Sequence, residues 1–213
     1  MCRVETTQKR YAKTAERRRQ IALAALEVVR EKGHRGLTTA EVARRAGLKE
    51  PAMLYHFPSR DHLLVAALEI SEEQGIPPFD VLEEADDALD TLVDVFVSRQ
   101  TEDWRVRLSV VLAAAAEDPE HPAHNYFRRH YELTIDGLAK LVRLCQEAGV
   151  AHAEIDPVTT ARQLAGVWDG LQAQWLVTQD FDLVEAIRDA FRKITGQPVV
   201  EVKQAIDALI AQV

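Results

Sequence analysis

Apolar residues recur at intervals of three and four along most of this chain, the spacing of helices with one buried face, and no segment shows a convincing strand alternation. Ile21, Ala25 and Val28 form the first stripe, in a helix expected from about Thr14 to Lys32 and stopped by Gly33. A second, short helix opens at Thr38-x-x-Glu41, a capping box in which hydroxyl and carboxylate each satisfy an orphan backbone N–H of the other residue. Val42, Ala43 and Ala46 give it an apolar face, and Gly47 supplies a left-handed stop. Leu48 plugs the turn, and Pro51 falls in the first turn of a third helix, where its missing N–H costs little. Ser59 caps a fourth helix through Leu63, Leu64, Ala67 and Ile70, with Asp61 near its positive end. Residues 38–57 therefore read as a helix-turn-helix, a unit that sets its second helix against the major groove of DNA.

Gly75-Ile-Pro-Pro78 is the clearest linker and the expected domain boundary. Further amphipathic helices are expected from about Val81 to Arg99, Trp104 to Glu117, Pro122 to Ala148 and Asp156 to Thr178. Another follows through Leu183, Ile187 and Phe191, and a final short one holds Val202, Ile206, Leu209 and Val213. The fold class is all-α. A basic arm spans residues 1–13, a three-helix domain with the helix-turn-helix spans 14–75, and a larger helical domain spans 79–213.

Charge changes the picture. The chain of 213 residues has a formal net charge of −8, which alone argues against a nucleic-acid partner. Its distribution argues the other way. Residues 1–60 hold 14 Lys and Arg against 6 Asp and Glu, a balance of +8, whereas residues 61–213 hold 12 against 28, a balance of −16. Phosphate neutralisation needs positive charge locally, not throughout, and an acidic body helps orient a basic head. No apolar run approaches membrane-spanning length, so no membrane association is expected. The N-terminus lacks a signal-peptide pattern, and Cys2 and Cys145 form no CxxC pair. A reducing cytoplasm is the expected compartment.

The run Gly36-Leu-Thr-Thr-Ala-Glu-Val-Ala-Arg-Arg-Ala-Gly47, followed by Tyr55-His-Phe-Pro-Ser-Arg-Asp-His-Leu-Leu64, resembles the N-terminal domain of TetR-family transcriptional regulators. The resemblance covers about residues 14–75. It implies an all-α homodimer that binds a double-stranded DNA operator through its N-terminal domain and a small-molecule effector through its C-terminal one. Two positions depart from the family pattern. Lys49 stands where a small capping residue is common, and Leu54 stands where a tyrosine is common, with Tyr55 one place later. The resemblance implies phosphate contacts at Thr39, Lys49, Tyr55 and Arg60.

Lys49, Glu50, Ala52 and Tyr55 are candidates to read bases, Ala52 through a thymine methyl and Lys49 through a guanine edge or a phosphate. Arg17, Arg18 and Arg19, with Lys9, Arg10 and Lys13 upstream, read either as a phosphate-binding arm and helix start or as a solvated terminus. His56 suits packing or a phosphate contact. Met53, Leu54 and Phe57 suit the core. In the C-terminal region Phe96, Trp104, Tyr126, Tyr131 and Trp168 are candidate walls of an effector pocket, although an aromatic stripe is more often plain core. Gly166 and Gly170, four apart in mid-helix, suggest a close helix approach, within one chain or at a dimer seam to which Ile187 and Phe191 would add.

His121, His124 and His130 suggest a metal only weakly, because no cysteine completes a ligand set near them, and structural histidines are expected. The chain has no phosphate-cradling glycine loop, nucleophile elbow or HExxH motif, so neither enzymatic activity nor a cofactor is expected. A helical small-molecule carrier with a merely solvated basic head is the alternative reading.

Overall fold

The structure, a computed structural model, describes residues 2–73 and 103–197. The linker at 75–78, the helix expected over 81–99 with Phe96, the final helix from Val202, and the side chains of Lys9 and Arg10 lie outside the described residues. Among the described residues every regular element is helical. These are α1 (Cys2–Lys32), a 3₁₀ turn (His34–Gly36), α2 (Thr39–Arg45), α3 (Glu50–Leu54), α4 (Arg60–Glu73), α5 (Asp103–Ala115), α6 (Ala123–Glu147), α7 (Pro157–Thr178) and α8 (Leu183–Ile194). They fall into two compact units, one of residues 2–73 and 103–127, the other of residues 128–197.

In the first unit α1 lies along α4 and also meets the 3₁₀ turn and α2. It starts at Cys2, upstream of the expected Thr14, because no proline or glycine interrupts the sequence between Cys2 and Lys32. Ile21, Ala25 and Val28 are all fully buried, beside Leu37, Val42, Met53, Phe57 and Leu63. Helix α5 packs on α4 and the 3₁₀ turn and buries Val106, Leu108 and Leu112. Arg105, buried on α5, donates through Nη2 to the Ser71 hydroxyl on α4 at 2.9 Å. Segment 103–127, though beyond the linker in sequence, thus folds with the N-terminal helices.

The second unit is centred on α7 packed against α8 and on the inner face of α6. Asp156 and Asp182 cap α7 and α8, accepting from the backbone N–H of Thr159 at 2.8 Å and of Glu185 at 3.0 Å. Gln146 on α6 donates through Nε2 to the carbonyls of His152, Ala153 and Ile155 at 3.0–3.1 Å, which fixes the connection into α7. Ile187 and Phe191 sit in this core, 0% and 4% exposed. That corrects their expected place at a dimer seam, since side chains already covered within one chain have no surface to offer a second. Gly166 and Gly170 differ from them: among the described residues no heavy atom lies within 4 Å of where their Cβ would stand, so no close approach of a described helix accounts for them.

Candidate nucleic-acid interface

The helix-turn-helix is assembled by local signals first. The Thr38 hydroxyl accepts from the Glu41 N–H at 3.3 Å and opens α2. At the other end Ala43 accepts from the N–H of Leu48 at 2.9 Å and Arg44 from that of Gly47 at 3.2 Å. This double bond pattern requires a left-handed residue between helix and turn, and Gly47 has φ +66°. Lys49 caps α3 through its carbonyl, which accepts from Ala52 at 3.0 Å and Met53 at 3.2 Å, while its side chain makes no cap bond. Its side chain is exposed.

The second half of the capping box is not formed. The Glu41 carboxylate instead binds Lys32 Nζ at 3.1 Å, Arg44 at 2.9 and 3.0 Å, and Arg45 Nε at 3.0 Å. Three cations offer more than one backbone N–H, and they hold this carboxyl far below its usual range. Arg45 continues the network to Glu31 on α1, which binds α2 to α1 by charge as well as by packing.

A five-residue helix cannot be stable alone. Helix α3 is held from behind by buried Met53 and, just beyond its end, Phe57. Arg18 on α1 adds a clamp: its guanidinium lies 4.2 Å from the centre of the Phe57 ring and donates to the His56 carbonyl. Arg60 does the same for the approach to α2, donating to the carbonyls of Leu37 at 3.1 Å and His34 at 2.5 Å. The Thr39 hydroxyl at the start of α2 donates to the Glu50 carboxylate at the start of α3.

Lys49, Ala52 and Tyr55 remain on the outer face of α3, Tyr55 with 83% of its surface free. Leu54 is half-buried, and His56, also half-buried, meets the Tyr55 ring edge-on at 5.4 Å. Arg17 is half-buried on α1. The structure therefore brings Thr39, Lys49, Glu50, Ala52 and Tyr55 together around α3, while Arg18 and Arg60 brace the scaffold beneath them. The bracing contacts join residues 38 and 23–26 positions apart, a separation at which sequence spacing carries no signal.

Residues 21–67, the stretch just described, match the model for bacterial regulatory proteins of the tetR family. The chain carries a TetR-family N-terminal domain. Its relatives include the HTH-type transcriptional regulator PksA of Bacillus subtilis, 24% identical over 190 residues, or 86% of this chain and 88% of that protein. The A-factor receptor protein of Streptomyces griseus is 24% identical over 168 residues, which is 76% of this chain but only 56% of that protein. A TetR transcription regulator from Haloarcula marismortui shares the fold, with a TM-score of 0.69 at 22% identity, covering 85% of this chain and 97% of that one.

The described residues expected around an effector fall in both units. Trp104 and Tyr126 belong to the first unit. The Arg30 guanidinium lies 5.3 Å from the Trp104 ring centre, and Tyr126 is buried, its phenol pushed up first by burial and then by the charge of Glu72. Tyr131 and Trp168 belong to the second unit. The Tyr131 hydroxyl donates to Asp169 at 2.7 Å, and Trp168 lies against the α7–α8 core. The histidines have structural partners: His121 Nδ1 accepts from the Ala123 N–H at 3.2 Å, Nε2 lies 3.6 Å from Asp61, and His124 Nδ1 lies 2.9 Å from the Ala116 carbonyl.

His34, in the 3₁₀ turn beneath Arg60, has its pKa lowered by burial and then by the charges of Arg35, Arg60 and Arg107. The folded protein thus binds this proton less readily than the unfolded chain, so His34 opposes folding as pH falls below about 6.5 and is silent above it. Urea titrations of the wild type and His34→Gln across pH 5–8 should show the wild type losing stability relative to the variant only on the acid side. Parallel curves would remove His34 from the account.

Proposed function

We propose that the protein is a homodimeric, ligand-responsive repressor that binds a pseudo-palindromic operator in the cytoplasm and is released from it by a small-molecule effector. The observation that carries this reading is the outer face of α3. It presents Lys49, Ala52 and Tyr55 to solvent on a short helix anchored from behind by Met53, over a scaffold braced by Arg18 and Arg60. Such rigid display suits contact with base edges and phosphates. A carrier protein has no need of it.

One such helix reads only a few base pairs, which is why two symmetry-related copies are proposed. Gly166 and Gly170 on α7, with open space at their Cβ positions, and Val177 on the same face, 84% exposed, support a seam there. The effector is placed in the C-terminal unit, near Tyr131 and Trp168. Coupling between the two sites is reciprocal, so a ligand that weakens operator binding must bind the operator-bound protein more weakly by the same factor.

Selection from fragments of the source genome, followed by titration of the selected DNA at several salt concentrations, tests the proposal. Affinity should fall as salt rises, with a logarithmic slope of about −0.9 per phosphate contact. Salt-independent binding, or none, would favour the carrier. Light scattering at micromolar concentration should return a dimer, and Gly166→Leu or Gly170→Leu should shift it towards monomer without unfolding it. A monomeric wild type would defeat the dimer reading.

A further inference from the structure

Among the side chains around α3, Glu50 is the odd one, a half-buried carboxylate beside a face offered to a polyanion. Resting on the proposal that α3 enters the major groove, we infer that Glu50, oriented by Thr39, selects a cytosine at one fixed position of each operator half-site. Glu50 is the first residue of α3, half-buried, directly after Lys49 and before exposed Ala52 and Tyr55. Its carboxylate accepts a hydrogen bond from the Thr39 hydroxyl, the first residue of α2.

A carboxylate only accepts hydrogen bonds. Close to phosphates it is repelled, and it is tolerated only where DNA presents a donor. The major groove offers two, the N4 amino group of cytosine and the N6 amino group of adenine. Adenine carries the N7 acceptor beside its donor and so repels the second carboxylate oxygen, whereas cytosine carries the donor alone. Thymine and guanine edges present acceptors to Glu50 and are rejected.

Thr39 is a positioning residue in this arrangement. Its hydroxyl satisfies one acceptor site on the carboxylate and holds the side chain across the α2–α3 turn, leaving the remaining lone pairs for a base. The favourable place of an acidic residue in the first turn of a helix does not depend on that orientation. The Thr39 bond is what turns a tolerated charge into a directed one.

The test is selection of bound sequences from a random DNA pool with wild type, Glu50→Gln and Thr39→Val. Wild type should enrich inverted half-sites with cytosine at one position. A carboxamide both donates and accepts, as adenine N6 and N7 require, so Glu50→Gln should move that position to adenine or abolish its preference and leave the other positions unchanged. Changing the selected C·G pair to T·A should cost wild type about ten-fold in affinity and Glu50→Gln almost nothing. Thr39→Val keeps the carboxylate without its donor and should narrow the ten-fold difference several-fold; it also serves if Glu50→Gln fails to fold. Identical base frequencies in wild type and variants would overturn the inference while leaving the regulator intact. Failure of wild type to enrich any sequence would overturn the proposed function itself.

Discussion

Lys49→Ala and Tyr55→Ala should each lower operator affinity by about ten-fold or more per half-site, hence by about a hundred-fold for a symmetric dimer, since one good contact is worth about 1–3 kcal/mol. The loss should come without unfolding. Tyr55 is 83% exposed and buries little that truncation could uncover. Lys49 caps α3 through its backbone, so alanine there keeps both cap bonds. Gel-shift or anisotropy titrations against the selected operator, with melting temperatures alongside, would read both effects. Wild-type affinity in both variants would show that α3 does not face the groove as proposed.

Met53→Ala should act in the opposite way, through stability. Met53 is fully buried beneath a helix of five residues, and truncating a buried methionine costs about 2–5 kcal/mol. That is a large share of the stability of any domain. The cost should concentrate in the first unit, because α3 has few other anchors. Hydrogen exchange should show residues 48–57 opening well before α1 and α4, and operator affinity should fall with the population of the open form. A Met53→Ala protein with an unchanged urea midpoint would mean that Phe57 and the Arg18 clamp hold α3 unaided.

What the sequence made legible were features with a local cause. Thr38 and Asp156 each precede a helix and cap it, and Gly33 and Gly47 each end one at positive φ. Met53 and Phe57 read as core from the need to back α3, and both are buried. What escaped was tertiary. Nothing in the spacing of Arg18 or Arg60 says that a cation in a basic head will brace a carbonyl far along the chain. Glu41 fitted a capping box by position, yet three nearby cations outbid the backbone N–H for its oxygens. Ile187 and Phe191 obeyed helical periodicity, which marks a buried face without saying whether the cover is the same chain or a second copy.

The bond from Arg105 to Ser71 has a consequence for anyone who would isolate the DNA-binding head. The linker invites a cut after residue 73, but α5 would leave with the rest. Removing it would strip the cover from α4 and leave the Ser71 hydroxyl facing water in place of a guanidinium. A shortened head of this kind should expose hydrophobic surface, bind hydrophobic dyes and cleave readily within α4. The first compact unit is discontinuous in sequence, so splicing residues 103–127 back onto 2–73 through a short flexible bridge should recover a head that melts cooperatively, where the simple truncation does not.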